Sequence, residues 1–197
     1  MLRLALLLAT LALPASAQDY PRLHDVTGVA SNDRLNVREA PSAQAPVVGE
    51  LAFDARAIEV MRVENGWGFL NVEERTGWAS MRYLAPRADG DLPNVQALTC
   101  FGTEPFWSLS IRPGQTALYR SPEVMDGETY GVGLLQRLWS PTLKYTLHGE
   151  GAAGRFDGMI MPAYCDDGMS DREYGFDVTL FMSREDRVYS GCCTLDE

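Results

Sequence analysis

Four cysteines and two histidines are the residues of this 197-residue chain whose chemistry reaches beyond packing. Cys192 and Cys193 are adjacent and follow Ser190-Gly191; the other two are Cys100 and Cys165. A thiolate beside a base is a nucleophile, and a cysteine enzyme built on Cys192 or Cys100 would need His148 as that base. In an oxidising environment the same four cysteines form two disulfides instead. The bridge geometry disfavours a bond between neighbours on a trans chain. Each of the adjacent pair must then reach a distant partner, as Cys100–Cys193 with Cys165–Cys192 or as the crossed alternative. Two histidines and widely spaced cysteines do not make a zinc site, so neither metal nor cofactor is expected.

Carboxylates and aromatics form a second set. Asp166, Asp167 and Asp171 share one stretch, where oxygen ligands could hold calcium. The alternating acidic spacing of a calcium loop is absent, and aspartates also cap turns with their own side chains. Glu104 precedes Trp107, and a carboxylate beside an indole suits a cation or a sugar. The plainer alternative is a turn set by Pro105 whose Phe106 and Trp107 plug the end of a barrel. In the first half of the chain, Trp67, Phe69, Trp78 and Tyr83, with Arg38, could line a groove for an extended peptide. Aromatics are also what fills a small barrel.

The compartment follows from the first seventeen residues. Arg3 precedes an apolar run from Leu4 to Leu13, and Ala15-Ser16-Ala17 has the small-x-small form of a signal peptidase site. The run is too short to span a bilayer as a stable helix, and no later stretch matches it, so no transmembrane segment is expected after cleavage. The expectation is cleavage after Ala17 and a periplasmic or secreted protein. A formal net charge of −10 repels phosphate backbones, which argues against nucleic acid as a partner.

The elements that position these residues are short strands. Gln18 to Asp25 is a polar lead-in. Between 26 and 86, short runs such as Leu35-Asn36-Val37-Arg38, Val47 to Leu51 and Ala57 to Val63 alternate with turns. Asn65-Gly66 accepts the positive φ angles of a hairpin turn. Residues 87–96 contain Gly and Pro among polar residues, as a linker does. In the domain at 97–197, Trp107, Leu109 and Ile111 alternate with polar residues, as do Tyr174, Phe176, Val178, Leu180 and Met182. About seven such strands are expected there, with Val188 to Cys193 as an edge or seam strand and Leu134 to Trp139 as the one short helix. The fold class is all-β: a small barrel followed by a disulfide-stapled antiparallel barrel or sandwich.

Two resemblances sharpen this. Arg34-Leu35-Asn36-Val37-Arg38-Glu39-Ala40-Pro41-Ser42, followed by Gly66-Trp67, Gly77-Trp78 and Tyr83-Leu84, resembles the bacterial SH3 (SH3b) family. That resemblance implies a five- or six-stranded barrel that tethers exported proteins to cell-wall peptides or other proteins without catalysis. Gly102-Thr103-Glu104-Pro105-Phe106-Trp107, Cys165-x-Asp167-Gly168-Met169-Ser170-Asp171-x-x-Tyr174 and Gly191-Cys192 are together similar to a family of uncharacterised exported bacterial proteins. This second likeness implies Cys165–Cys192 and leaves Cys100 for Cys193. The expected function is non-catalytic binding in the cell envelope. Arg38, Trp67, Trp78 and Tyr83 would contact a peptide or peptidoglycan, and Glu104, Trp107, Asp167 and Asp171 are candidates in the second domain. The alternatives are a cysteine-dependent envelope enzyme and a barrel that encloses a small ligand or metal.

Overall fold

The computed structural model describes residues 20–184 and 186–197, so the signal peptide expected over residues 1–17 lies outside the described residues. Two antiparallel sheets account for almost all of the rest. The first contains β1 (Arg22–Val26), β2 (Arg34–Arg38), β3 (Val47–Ala52), β4 (Ile58–Glu64), β5 (Trp67–Val72), β6 (Arg75–Ser80) and β7 (Leu84–Pro86), with a 3-10 turn over Met81–Tyr83. Its order is β3-β2-β6-β5-β4-β1-β7. Val26, Val37, Leu51, Val60, Leu70, Ala79 and Leu84, one from each strand, meet in a single core, so the sheet is curled around it. Asn65 and Gly66, at φ 49° and 81°, turn β4 into β5 as the Asn-Gly pair requires.

β1 differs from the expected polar lead-in. It is an interior strand between β4 and β7, and His24 lies inside it with no exposed surface. Its polar residues are covered by tertiary contacts: Arg22 donates to Arg87 O at 2.5 Å and pairs with Asp91 at 3.5 Å. Residues 87–96 are likewise ordered. Leu23 N–H donates to Gly90 O at 2.7 Å, and Leu92 and Val95 are buried in the core of the second sheet, where Tyr145 OH donates to Leu92 O at 2.8 Å.

The second sheet contains β8 (Ala97–Thr103), β9 (Phe106–Arg112), β10 (Thr116–Ser121), β11 (Val124–Val132), β12 (Gln136–Arg137), β13 (Tyr145–Gly151), β14 (Gly154–Cys165), β15 (Tyr174–Met182) and β16 (Arg187–Asp196). β8 to β11 pair in sequence order, as do β13 to β16; β16 pairs with β8 and β11 with β13, so eight strands close into a barrel, with β12 as a short addition on β13. The period-2 pattern works as expected: Trp107, Leu109 and Ile111 of β9 and Phe176, Val178, Leu180 and Met182 of β15 point inward and are buried. With Tyr119, Tyr130, Phe156 and Tyr189 they fill the interior, as side chains do in an eight-stranded barrel. Leu134 to Trp139 is not helical. β12 pairs with β13, and Gly133 exchanges backbone hydrogen bonds with Gly114 and His148, so ladder contacts prevail over local helix formation.

β16 explains the cysteines. Adjacent strand residues face opposite sides of a sheet. Cys193 points into the barrel and bonds Cys100, its directly opposed partner on β8. Cys192 points outward and bonds Cys165 at the end of β14. All four cysteines are engaged, which places the chain in an oxidising, extracytoplasmic compartment.

The two sheets meet along the outer face of β15 and β16. Asn71 Nδ2 donates to Glu173 O at 2.7 Å while Glu173 N–H donates back to Asn71 Oδ1 at 3.2 Å. Thr194 Oγ1 donates to Glu59 at 2.7 Å, and Arg62 pairs with Glu173 at 3.4 Å. Gly175 fits beneath Pro21, whose Cγ stands 2.1 Å from where a Cβ at 175 would lie.

Candidate functional site

The first sheet carries an open cleft of about 570 Å³ whose walls include Arg34, Asn36, Arg38, Trp67, Arg82 and Tyr83. Strand alternation sets it up: Leu35 and Val37 enter the core, which turns Arg34, Asn36 and Arg38 outward. Trp67 opens β5 directly after the Asn65-Gly66 turn, and Met81 N–H donates to Gly66 O at 2.9 Å, so that turn and the 3-10 turn bearing Tyr83 are tied together. Thr27 N–H donates to Tyr83 O at 2.9 Å and ties the 3-10 turn to the segment after β1.

Charge in the cleft is opposite to that of the whole chain. Arg34, Arg38 and Arg82 line it with one carboxylate, Asp33, which already accepts from the Arg34 backbone at 2.8 Å, while the Arg34 side chain pairs with Glu50 at 3.7 Å. Arg38 Nη1 donates to Ala45 O at 2.7 Å, which orders the loop from β2 to β3 and leaves other guanidinium donors unspent. Arg82 lies 5.7 Å from the Tyr83 ring and makes no ion pair among the described residues. A planar cation beside an aromatic ring can hold a carboxylate or a carbonyl of an extended chain.

Of the four residues expected here, three converge: Arg38, Trp67 and Tyr83. Trp78 does not. It is buried in a cluster with Met61 and Phe69, its ring 4.9 Å from Phe69, and the partly buried Trp67 packs against that cluster from the cleft side. Arg62 covers that cluster, its guanidinium carbon 3.6 Å from the Phe69 centroid and 5.2 Å from Trp78. Arg82 was missed by sequence reasoning, although it directly precedes Tyr83.

The candidates of the second domain separate as well. Glu104 and Asp167 line a depression of about 440 Å³ beside the Cys165–Cys192 bridge, together with Asp166 and Asp177. Burial raises the Asp177 pKa above the usual carboxylate value. Asp167 is a turn former. Burial pushes its carboxyl up, but hydrogen bonds from Met169 N–H, Ser170 N–H, Ser170 Oγ and Tyr174 OH hold it below the usual range. Its carbonyl accepts from Thr103 Oγ1 at 2.9 Å, so the loop is pinned to the end of β8. Asp171 stands elsewhere, in a backbone bridge with Arg75 between the two sheets. Trp107 is buried against Tyr189, its ring nitrogen packed over Gly102, and offers no indole face beside Glu104.

His148 is on the barrel surface, with Nδ1 2.8 Å from Asp157 and Nε2 3.3 Å from Glu150. Those two hydrogen bonds raise its pKa. With every cysteine in a disulfide, it has no thiol to activate. Among the described residues no group of three His, Cys, Asp or Glu is arranged to hold a metal ion, and no helix is long and apolar enough to cross a membrane. Comparison of the chain with family models, with curated proteins and with solved structures finds no match.

Proposed function

We propose that this is a non-catalytic binding protein of the bacterial cell envelope, exported by its signal peptide to the periplasm or beyond, whose first sheet acts as an SH3b module. The groove of that sheet contacts a peptide or the peptide portion of peptidoglycan. One observation carries the reading: Arg38, Trp67 and Tyr83, chosen from sequence, share an open cleft with Arg82, which has no carboxylate partner among the described residues. An extended peptide gains apolar contact from Trp67 and Tyr83 and charge-assisted hydrogen bonds from the guanidinium groups. No catalytic group is required.

The test is cosedimentation of the full exported chain with purified cell-wall sacculi, followed by competition with stem peptides released from them. The expected result is saturable binding that Tyr83→Ala and Arg82→Ala each weaken by about tenfold, or about 1.4 kcal/mol. Absence of binding by the unsubstituted protein would sink the proposal.

A further inference from the structure

The loop between β11 and β13 exposes apolar surface that the fold does not use. Trp139 is fully exposed at 106 %, Leu134 at 69 % and Leu138 at 37 %. Nearby, Leu135 is buried in the barrel core and Leu143 packs against it. The same segment therefore anchors itself with two leucines and turns two leucines and a tryptophan outward. The loop is built rather than slack. Leu138 N–H donates to Lys144 O at 2.9 Å across its base, β12 pairs with β13, and Ser140 Oγ lies 3.2 Å from Thr142 Oγ1 at its tip. The β9–β10 turn lies against its other side, with Gly114 N–H donating to Gly133 O at 2.9 Å.

Its charge is also distinct. The sequence from Glu128 to Glu150 contains no acidic residue between those two ends, and no other stretch goes as far without one. Arg137 and Lys144 belong to the loop, and Arg112 begins the turn beside it. The acids nearest along β13 and β14, Glu150 and Asp157, are both hydrogen-bonded to His148. An exposed indole with two leucines and a rim of cations matches the interfacial zone of a bilayer. There the ring sits at headgroup depth, leucines enter the acyl boundary and cations meet phosphates.

We propose that this loop docks the protein on a membrane surface carrying anionic phospholipids, with Trp139, Leu134 and Leu138 inserted and Arg112, Arg137 and Lys144 against the headgroups. The peptide groove lies on the other sheet, so the docking does not depend on the function proposed above. Because the whole chain is acidic, charge alone would repel it, and binding requires the apolar tip.

Vesicle cosedimentation of the disulfide-intact protein tests this, with phosphatidylglycerol–phosphatidylcholine vesicles compared with phosphatidylcholine alone. The expected result is partitioning onto the anionic vesicles with a blue-shifted tryptophan emission. Trp139→Ser should weaken it by about tenfold or more, and the Arg137→Glu, Lys144→Glu double variant should abolish the preference for anionic lipid. Arg137 and Trp139 are exposed and Lys144 is half-buried, and circular dichroism checks the fold of each variant. No vesicle binding, equal binding by Trp139→Ser, or equal binding to both lipid compositions overturns the proposal. Capture of a protein by this loop without vesicle binding overturns it too.

Discussion

Glu59 on β4 accepts a hydrogen bond from Thr194 Oγ1 on β16 at 2.7 Å, and through it the two sheets share a carboxyl group enclosed at their junction. Leu195 N–H is its second donor at 3.4 Å. Burial pushes its pKa from 4.5 up to about 7; the two hydrogen bonds and Arg172 pull it down, and Asp196 pushes it further up. The folded state thus retains a proton that the unfolded chain has released. Its stabilising effect is complete below pH 4.5 and is lost as pH rises through 7, amounting to roughly 3 kcal/mol. Glu59→Gln keeps the shape without the charge. Thermal melts should show the variant equal to the parent near pH 4.5 and more stable at pH 8.

Trp67 and Trp78 both follow glycine in the sequence but have different roles. Trp78 packs against Phe69 beneath Arg62, so Trp78→Ala should cost about 3 to 5 kcal/mol in a denaturant titration. Trp67 is only partly buried, resting on that cluster at the border of the open cleft, and Trp67→Ala should cost less stability than Trp78→Ala while weakening sacculus binding. Equal destabilisation by the two would remove the distinction.

The two disulfides span unequal loops. Cys100–Cys193 encloses a separation of 93 residues and Cys165–Cys192 one of 27, which on loop entropy alone corresponds to roughly 4.5 and 3.5 kcal/mol. Replacing the first pair by alanine should lower the melting temperature more, because it also opens the buried seam between β8 and β16. Replacing the second should leave the barrel folded and make residues 163–170 the first site of proteolysis, read by mass spectrometry of the fragments.

Gly191 has no room for a side chain. A Cβ there would lie 2.0 Å from the Phe101 carbonyl oxygen and 3.0 Å from the Trp107 ring. Because the nearer atom is backbone, Gly191→Ala should cost about 3 kcal/mol, and a companion Trp107→Phe should not rescue it. Chemical denaturation of the single and double variants decides this.

What the sequence determined by itself is what is local. Alternation marked β9 and β15, Asn65-Gly66 marked a hairpin, and two adjacent cysteines required two distant partners. The tertiary structure decided the rest. β1 was hidden because Arg22, His24 and Asp25 look solvated until Arg87, Gly90 and Asp91 fold over them. Trp78 resembled Trp67 until Met61 and Arg62 of β4 covered it. The choice between two disulfide pairings rested on which face of β16 each cysteine occupies, and β16 has defined faces only once β8 and β15 flank it. A strand's periodicity lies in the chain, but what covers each of its faces is set by residues far away in sequence, and that covering separates a core residue from one free to bind.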